Sequence, residues 1–168
     1  MLLSMLFFSY HNVVSQTLPE DKIKAVFIFN FTHFVEWPEE TFENANDPLI
    51  IGIIGGDPFG EYINETVSGE MISGHPIVVR RYQDIRQIDC HILYINVKDA
   101  EEIKKIIYFT EGKNILTVSD EDNFVKWGGI VQFMEENNKI KLQINVKSAQ
   151  HTKLAISSKL LSVAEIYK

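Results

Sequence analysis

Only one cysteine, Cys90, stands in the 168-residue chain. A single thiol closes no intramolecular disulfide and builds no cysteine-based metal site. Because Cys90 leads straight into the apolar run His91 to Ile95, it reads as a buried small hydrophobe. Basic residues are scarce as well: 16 Lys and Arg face 23 Asp and Glu, a net charge of −7. Nucleic-acid binding needs clustered cations to neutralise phosphates, and an anionic membrane surface asks for the same, so both are excluded as partners. The acidic residues are dispersed, which describes a solvated surface.

Other absences narrow the reading further. No apolar stretch reaches the roughly 20 residues that span a bilayer, so no membrane span is expected. Linkers rich in proline or serine, low-complexity tracts and repeats are missing, which leaves one domain. The dinucleotide pattern G-x-G-x-x-G, the P-loop and the G-x-S-x-G elbow are absent. The histidines His11, His33, His75, His91 and His151 lack metal-ligand spacing. No catalytic residue, metal or cofactor is expected.

What is present begins with an uncharged segment. Met1 to Ser15 holds an apolar run at Leu2 to Phe8 and small residues around Val14 and Ser15. It lacks the usual basic opening, yet it has the h-region and cleavage region of a secretory signal peptide. Residues 1–16 are assigned that role and 17–168 the mature domain.

The domain opens with Thr17-Leu-Pro-Glu20, a capping-box spacing with proline in the first turn. Ile23, Phe27, Phe31, Phe34 and Trp37 follow at helical intervals, a core-facing stripe stopped by Pro38. Four short, nearly continuous apolar runs come next: 49–55, 77–82, 91–96 and 114–119. Such runs suit strands buried on both faces of a parallel sheet. A helix is predicted from an Asp57 N-cap with Pro58 at its first position. Another starts at Asp99 and buries Ile103, Ile106 and Ile107 before Gly112. Strands alternating with helices at this spacing give βαβ units.

The pattern then changes. Residues 130–134 and 140–146 flank a turn-rich segment, and Ile140, Leu142, Ile144 and Val146 alternate with polar neighbours. Period two describes a hairpin with one wet face. A last helix is read from Ser148 to Tyr167, with Ile156, Leu160, Val163 and Tyr167 on one face. The expected architecture is an α/β three-layer sandwich. Its mixed sheet has about six strands, four mainly parallel plus a C-terminal antiparallel hairpin, flanked by helices.

Candidate binding positions lie at element ends. Ligands in open α/β sheets sit outside the carboxyl ends of strands, which points to the turn Gly55 to Gly60 with Asp57 and Phe59. A carboxylate at the helix start takes up the free N–H groups and repels phosphate, so a capped turn is preferred to a nucleotide site. Residues 119–122 begin like a calcium loop, but Phe124 replaces the next oxygen ligand. They read as a loop entering a short helix that ends at Gly128-Gly129. Arg80 and Arg81 close the second strand and face opposite sides. Ser158 and Lys159 interrupt the last apolar helix, either as a solvated face or as a contact. A small-molecule site near Asp57, Phe59, Arg80 and Lys159 is the alternative to a partner-binding surface.

Seven stretches in order carry a resemblance. They are Lys24 to Pro38 (KAVFIFNFTHFVEWP), Ile53 to Gly60 (IIGGDPFG), Gly74 to Arg81 (GHPIVVRR), Cys90 to Ile95 (CHILYI), Leu116 to Asp120 (LTVSD), Gly128 to Ile130 (GGI) and Ile156 to Leu161 (ISSKLL). The chain resembles the YfiR family of bacterial periplasmic proteins. That resemblance implies a non-catalytic periplasmic α/β regulator, often a homodimer. It also implies a partner, the periplasmic region of a membrane signalling protein such as a diguanylate cyclase, which it represses. A peptidoglycan-associated outer-membrane lipoprotein would relieve the repression, raising cyclic di-GMP and biofilm. Family members with a disulfide at the CHIL-type cysteine need a second cysteine; this chain has none, so redox control through that bond does not apply.

Overall fold

The structure is a computed structural model that describes residues 18–44 and 46–168. The segment assigned as a signal peptide, and Thr17 of the capping box, lie outside the described residues. The elements in order are α1 (Glu20–Phe34), β1 (Val35–Glu36), β2 (Leu49–Gly55), α2 (Glu61–Val67), β3 (Met71–Ile72) and β4 (His75–Tyr82). Then follow β5 (Ile92–Asn96), α3 (Ala100–Thr110), β6 (Leu116–Ser119), β7 (Val131–Glu136) and β8 (Lys139–Ile144). The chain closes with α4 (Val146–His151), β9 (Ala155–Ile156), α5 (Ser158–Ser162) and β10 (Glu165–Ile166).

The main sheet runs β10-β8-β7-β6-β5-β2-β4-β3. The four apolar runs form its parallel centre: β2 pairs in parallel with both β4 and β5, and β5 with β6. Continuous apolar sequence fits that place, because helices cover both faces. The hairpin β7–β8 is antiparallel, with Phe133 opposite Leu142. Its alternation does what period two requires: Leu142 and Ile144 are buried while Lys141 is exposed. Among the described residues the sheet has eight strands rather than about six, because β3 and β10, two residues each, extend its two edges. Strands that short carry no periodicity.

The core has two halves, one on each face of the sheet. Ala25, Ile28 and Phe31 of α1 and Ile63 and Val67 of α2 pack on Ile51, Ile53, Ile92 and Leu116. On the other face Ile103 and Ile106 of α3 pack on Ile50, Ile54, Leu93 and Ile95. This is the three-layer sandwich.

Four local expectations are corrected. First, α1 stops at Phe34 instead of running to Trp37, because Val35–Glu36 pair with Ile156–Ala155 and Ser157 N donates to the Phe34 carbonyl at 2.8 Å. Its N-cap is Pro19, without a side-chain cap. Second, α2 starts at Glu61 behind Gly60, whose φ of 53° and ψ of −133° suit glycine. Third, residues 122–128 form successive turns, not a helix. Fourth, the single C-terminal helix is broken into α4, β9, α5 and β10. Lys153 at φ 56° ends the first piece, Ser157 caps the next by accepting from Leu160 N, and β8 offers β10 a backbone partner. Val163, placed on the apolar face of that helix, is 72% exposed.

Candidate functional site

The carboxyl ends of the parallel strands hold the first constellation. Asp57 follows β2 and turns its carboxylate back on the chain, accepting from Phe59 N at 2.9 Å and Gly60 N at 3.1 Å. Arg81, leaving β4 on the same face, donates from Nε to Asp57 at 2.7 Å, from Nη2 to the Gly60 carbonyl at 2.8 Å and from Nη1 to Asn64 Oδ1 at 3.2 Å. The pair therefore fixes the β2–α2 turn. Phe59 is buried beneath it, 4.8 Å from the Tyr94 ring.

Beside this turn lies a buried ion pair. Lys24 in the first turns of α1 is only 5% exposed and donates to Asp120 at 2.6 Å, with Glu20 also at 2.6 Å. Burial pulls the ammonium pKa down, but hydrogen bonds to Asp120 and Glu20 outweigh it, and the net shift is upward. Burial raises the Asp120 pKa, yet Lys24 wins and holds it low. Both stay charged. The Tyr94 hydroxyl and Asp120 Oδ1 are buried without a partner among the described residues, and no hydrogen bond of normal geometry links them. Burial, with the Asp120 charge nearby, pushes the Tyr94 phenol up. Asp120 belongs to the segment that resembled a calcium loop; its charge is met by a lysine.

Arg80 points to the opposite face of the sheet from Arg81, as strand alternation requires. It pairs with exposed Asp89 at 3.4 Å. Next to it, Cys90 is 8% exposed, and burial pushes its thiol far up. A thiol that stays protonated is a poor nucleophile.

The amino ends of the strands hold the second constellation. There Phe42 is stacked between two imidazoles, His75 at 3.8 Å and His91 at 4.7 Å between ring centroids. Trp37 meets His91 edge-on and donates from its indole to the His91 carbonyl at 3.3 Å. His75 Nδ1 donates to the Asp47 carbonyl at 2.7 Å. His91 Nδ1 accepts from Ile50 N at 3.0 Å, and buried Nε2 has no partner among the described residues. Burial lowers the His91 pKa to about 4. Over this stack opens a groove of about 950 Å³, lined by Trp37, Phe42, His75, Leu49 and Ile72 with Glu36, Glu39 and Glu43.

Ser158 and Lys159 are exposed in α5, just beyond the end of α1. Asp57, Phe59 and Arg81 sit by its start, where Lys22 lies over the Tyr62 ring. Between the two groups runs α1, whose 15 residues make it about 22 Å long. The structure thus joins Asp57, Phe59 and Arg81, puts Arg80 on the other sheet face, and sets Ser158 and Lys159 by the far end of α1. Sequence reasoning passed over Lys24 and the Phe42 stack. The polar Lys24 inside an apolar stretch was the one available signal for the former.

Chemically, the carboxylates at the carboxyl ends of the strands are paired, Asp57 with Arg81 and Asp120 with Lys24. Among the described residues no three His, Cys, Asp or Glu side chains are placed to hold a metal ion, and no helix is long and apolar enough to cross a membrane. In comparison with known proteins, the model of a family described as YfiR/HmsC-like matches residues 21–165. No curated protein matches the chain.

Proposed function

The chain belongs to the YfiR/HmsC-like family, and on that premise we propose that it is an exported, non-enzymatic regulatory binding protein. It acts from the periplasm on the periplasmic region of a membrane-bound signalling protein, a diguanylate cyclase in the first instance, and holds it off. The observation that carries this reading is the extent of the family match, residues 21–165, which takes in both halves of the core and both strand-end constellations.

Further support comes from the chemistry. Asp57 is spent on Arg81, Asp120 on Lys24, and Cys90 is buried with its proton held. Such groups hold a scaffold together, and a scaffold with an exposed polar surface recognises partners. Arg80, Ser158 and Lys159 are exposed and are proposed as contact positions, with residues 1–16 as the export signal. An outer-membrane lipoprotein that relieves the restraint, and a homodimer as the working form, complete the proposal.

Deleting the gene should raise cyclic di-GMP and biofilm, and restoring it should reverse both. Crosslinking in the intact envelope should recover a membrane signalling protein. Unchanged cyclic di-GMP together with no membrane protein captured refutes the reading.

A further inference from the structure

We propose that the groove at the amino ends of the strands, over the His75–Phe42–His91 stack, docks a partner segment in which Arg or Lys alternates with apolar side chains. The inference rests on the regulatory reading and names the surface that reading leaves open. The groove has an apolar floor and an acidic rim. Val35 and Leu49 are buried under it, and Trp37, Phe42 and Ile72 are half-buried along it. Met71, next to Ile72 on the sheet's last strand, is 58% exposed.

Glu36, Glu39 and Glu43 stand exposed at the rim, and none forms an ion pair among the described residues. Among the described residues no Lys or Arg lines the groove. The contrast with the strand-end constellation is direct: there each carboxylate already holds a cation. Three unpaired carboxylates around aromatic and aliphatic surface complement a cationic, apolar segment, and they repel an acidic one. The apolar side chains would supply contact area and the cations would supply steering and register. A groove of about 950 Å³ has room for several side chains of an extended segment.

Nuclear magnetic resonance on the protein, purified as the cell produces it, tests the site. The probe is a capped peptide alternating arginine with phenylalanine and leucine; the controls are its glutamate analogue and free arginine. The Trp37 indole N–H and the backbone amides of residues 35–44 and 72–75 should shift on titration, while the Trp127 indole, across the sheet, stays still. Glu39→Lys with Glu43→Lys should weaken the peptide at least about tenfold, and added salt should weaken it further. Should that pair unfold the protein, Glu39→Gln with Glu43→Gln asks the same question at unchanged melting temperature. The proposal is overturned if shifts fall elsewhere, if the glutamate analogue binds equally, if free arginine matches the peptide, or if the substitutions leave affinity intact. In cells, a charge-reversed protein that still captures its membrane partner removes the groove and keeps the regulatory reading. A deletion without effect on cyclic di-GMP, together with no membrane protein captured, removes that reading, and the peptide titration alone then decides the groove.

Discussion

Lys24 Nζ lies 2.6 Å from the Asp120 carboxylate across 96 residues of chain, joining the start of α1 to the loop after β6. Removing one partner of such a pair strands the other charge, whereas replacing both with neutral groups of similar size is far milder. Asp120→Asn is therefore expected to cost about 2–3 kcal/mol, below the fully buried range because its side chain is 24% exposed. Lys24→Met combined with Asp120→Asn should recover most of that loss. Urea unfolding of the wild type, each single variant and the double variant gives the coupling. Because the Asp120 pKa is lowered by folding, this contribution is present above the unfolded carboxyl pKa and disappears as pH falls through the folded one.

His91 supplies a second acid-sensitive element. It is 8% exposed, and its Nδ1 accepts from Ile50 N, so the folded state holds the ring neutral. Burial lowers its pKa from 6.5 to about 4; His75 and Arg80 push the same way, and Asp89 opposes them. Between those values the unfolded chain binds the extra proton. Stability is thus complete above about pH 6.5, falls as pH drops, and levels off near the folded pKa, a loss of about 3 kcal/mol at most. His91→Asn retains an acceptor without the titration. Melting temperatures from pH 7 to 4 should fall less steeply for the variant; equal slopes would remove His91 as the cause.

Much of this frame could be read in advance. The runs at 49–55 and 91–96 announced parallel strands, because helices on both faces demand apolar side chains in both directions. The alternation at Ile140, Leu142 and Ile144 announced the hairpin. Asp99 was legible too: it caps α3 by accepting from Glu102 N at 2.8 Å. What escaped depends on distance. Lys24 sits on the buried face of α1 because Asp120, 96 positions later, meets its charge there. The C-terminal segment has helical spacing, yet β1 and β8 offer it backbone partners, and tertiary pairing overrode local preference. The Phe42 stack draws on three separate segments, each of which alone reads as a turn or strand end.

Gly129 is where backbone and ring come closest. A Cβ built on it would stand 2.2 Å from the Phe124 ring, and that ring is fully buried. The ring has no open space to swing into, so Gly129→Ala forces either the 122–128 turns or the start of β7 to shift. Overpacking of this kind typically costs about 1–3 kcal/mol. Gly69→Ala is no neutral control, since Gly69 has φ 77°; Ser68→Ala on the exposed end of α2 serves better. Thermal unfolding of both should separate them clearly, and a Gly129→Ala protein as stable as the Ser68→Ala one would contradict the close approach.

Cys90 offers a chemical clock for unfolding. Its thiol packs against Gly52, where an added Cβ would meet Cys90 Sγ at 2.8 Å, and burial raises its pKa well above the free value. Reaction with a disulfide reagent requires thiolate and access together, and the native fold denies both. Labelling of the native protein should be slow and should speed up in step with the fraction unfolded as urea is added. Cys90→Ala abolishes labelling, and as a small truncation in a packed core it should cost about 1–2 kcal/mol. Gly52→Ala probes the same contact from the other side: by pushing on Sγ and on the Tyr82 ring at 2.7 Å, it should raise the labelling rate before urea is added. Rapid labelling of the folded wild type would mean that the region between β2 and β5 opens far more often than a fully packed sheet face allows.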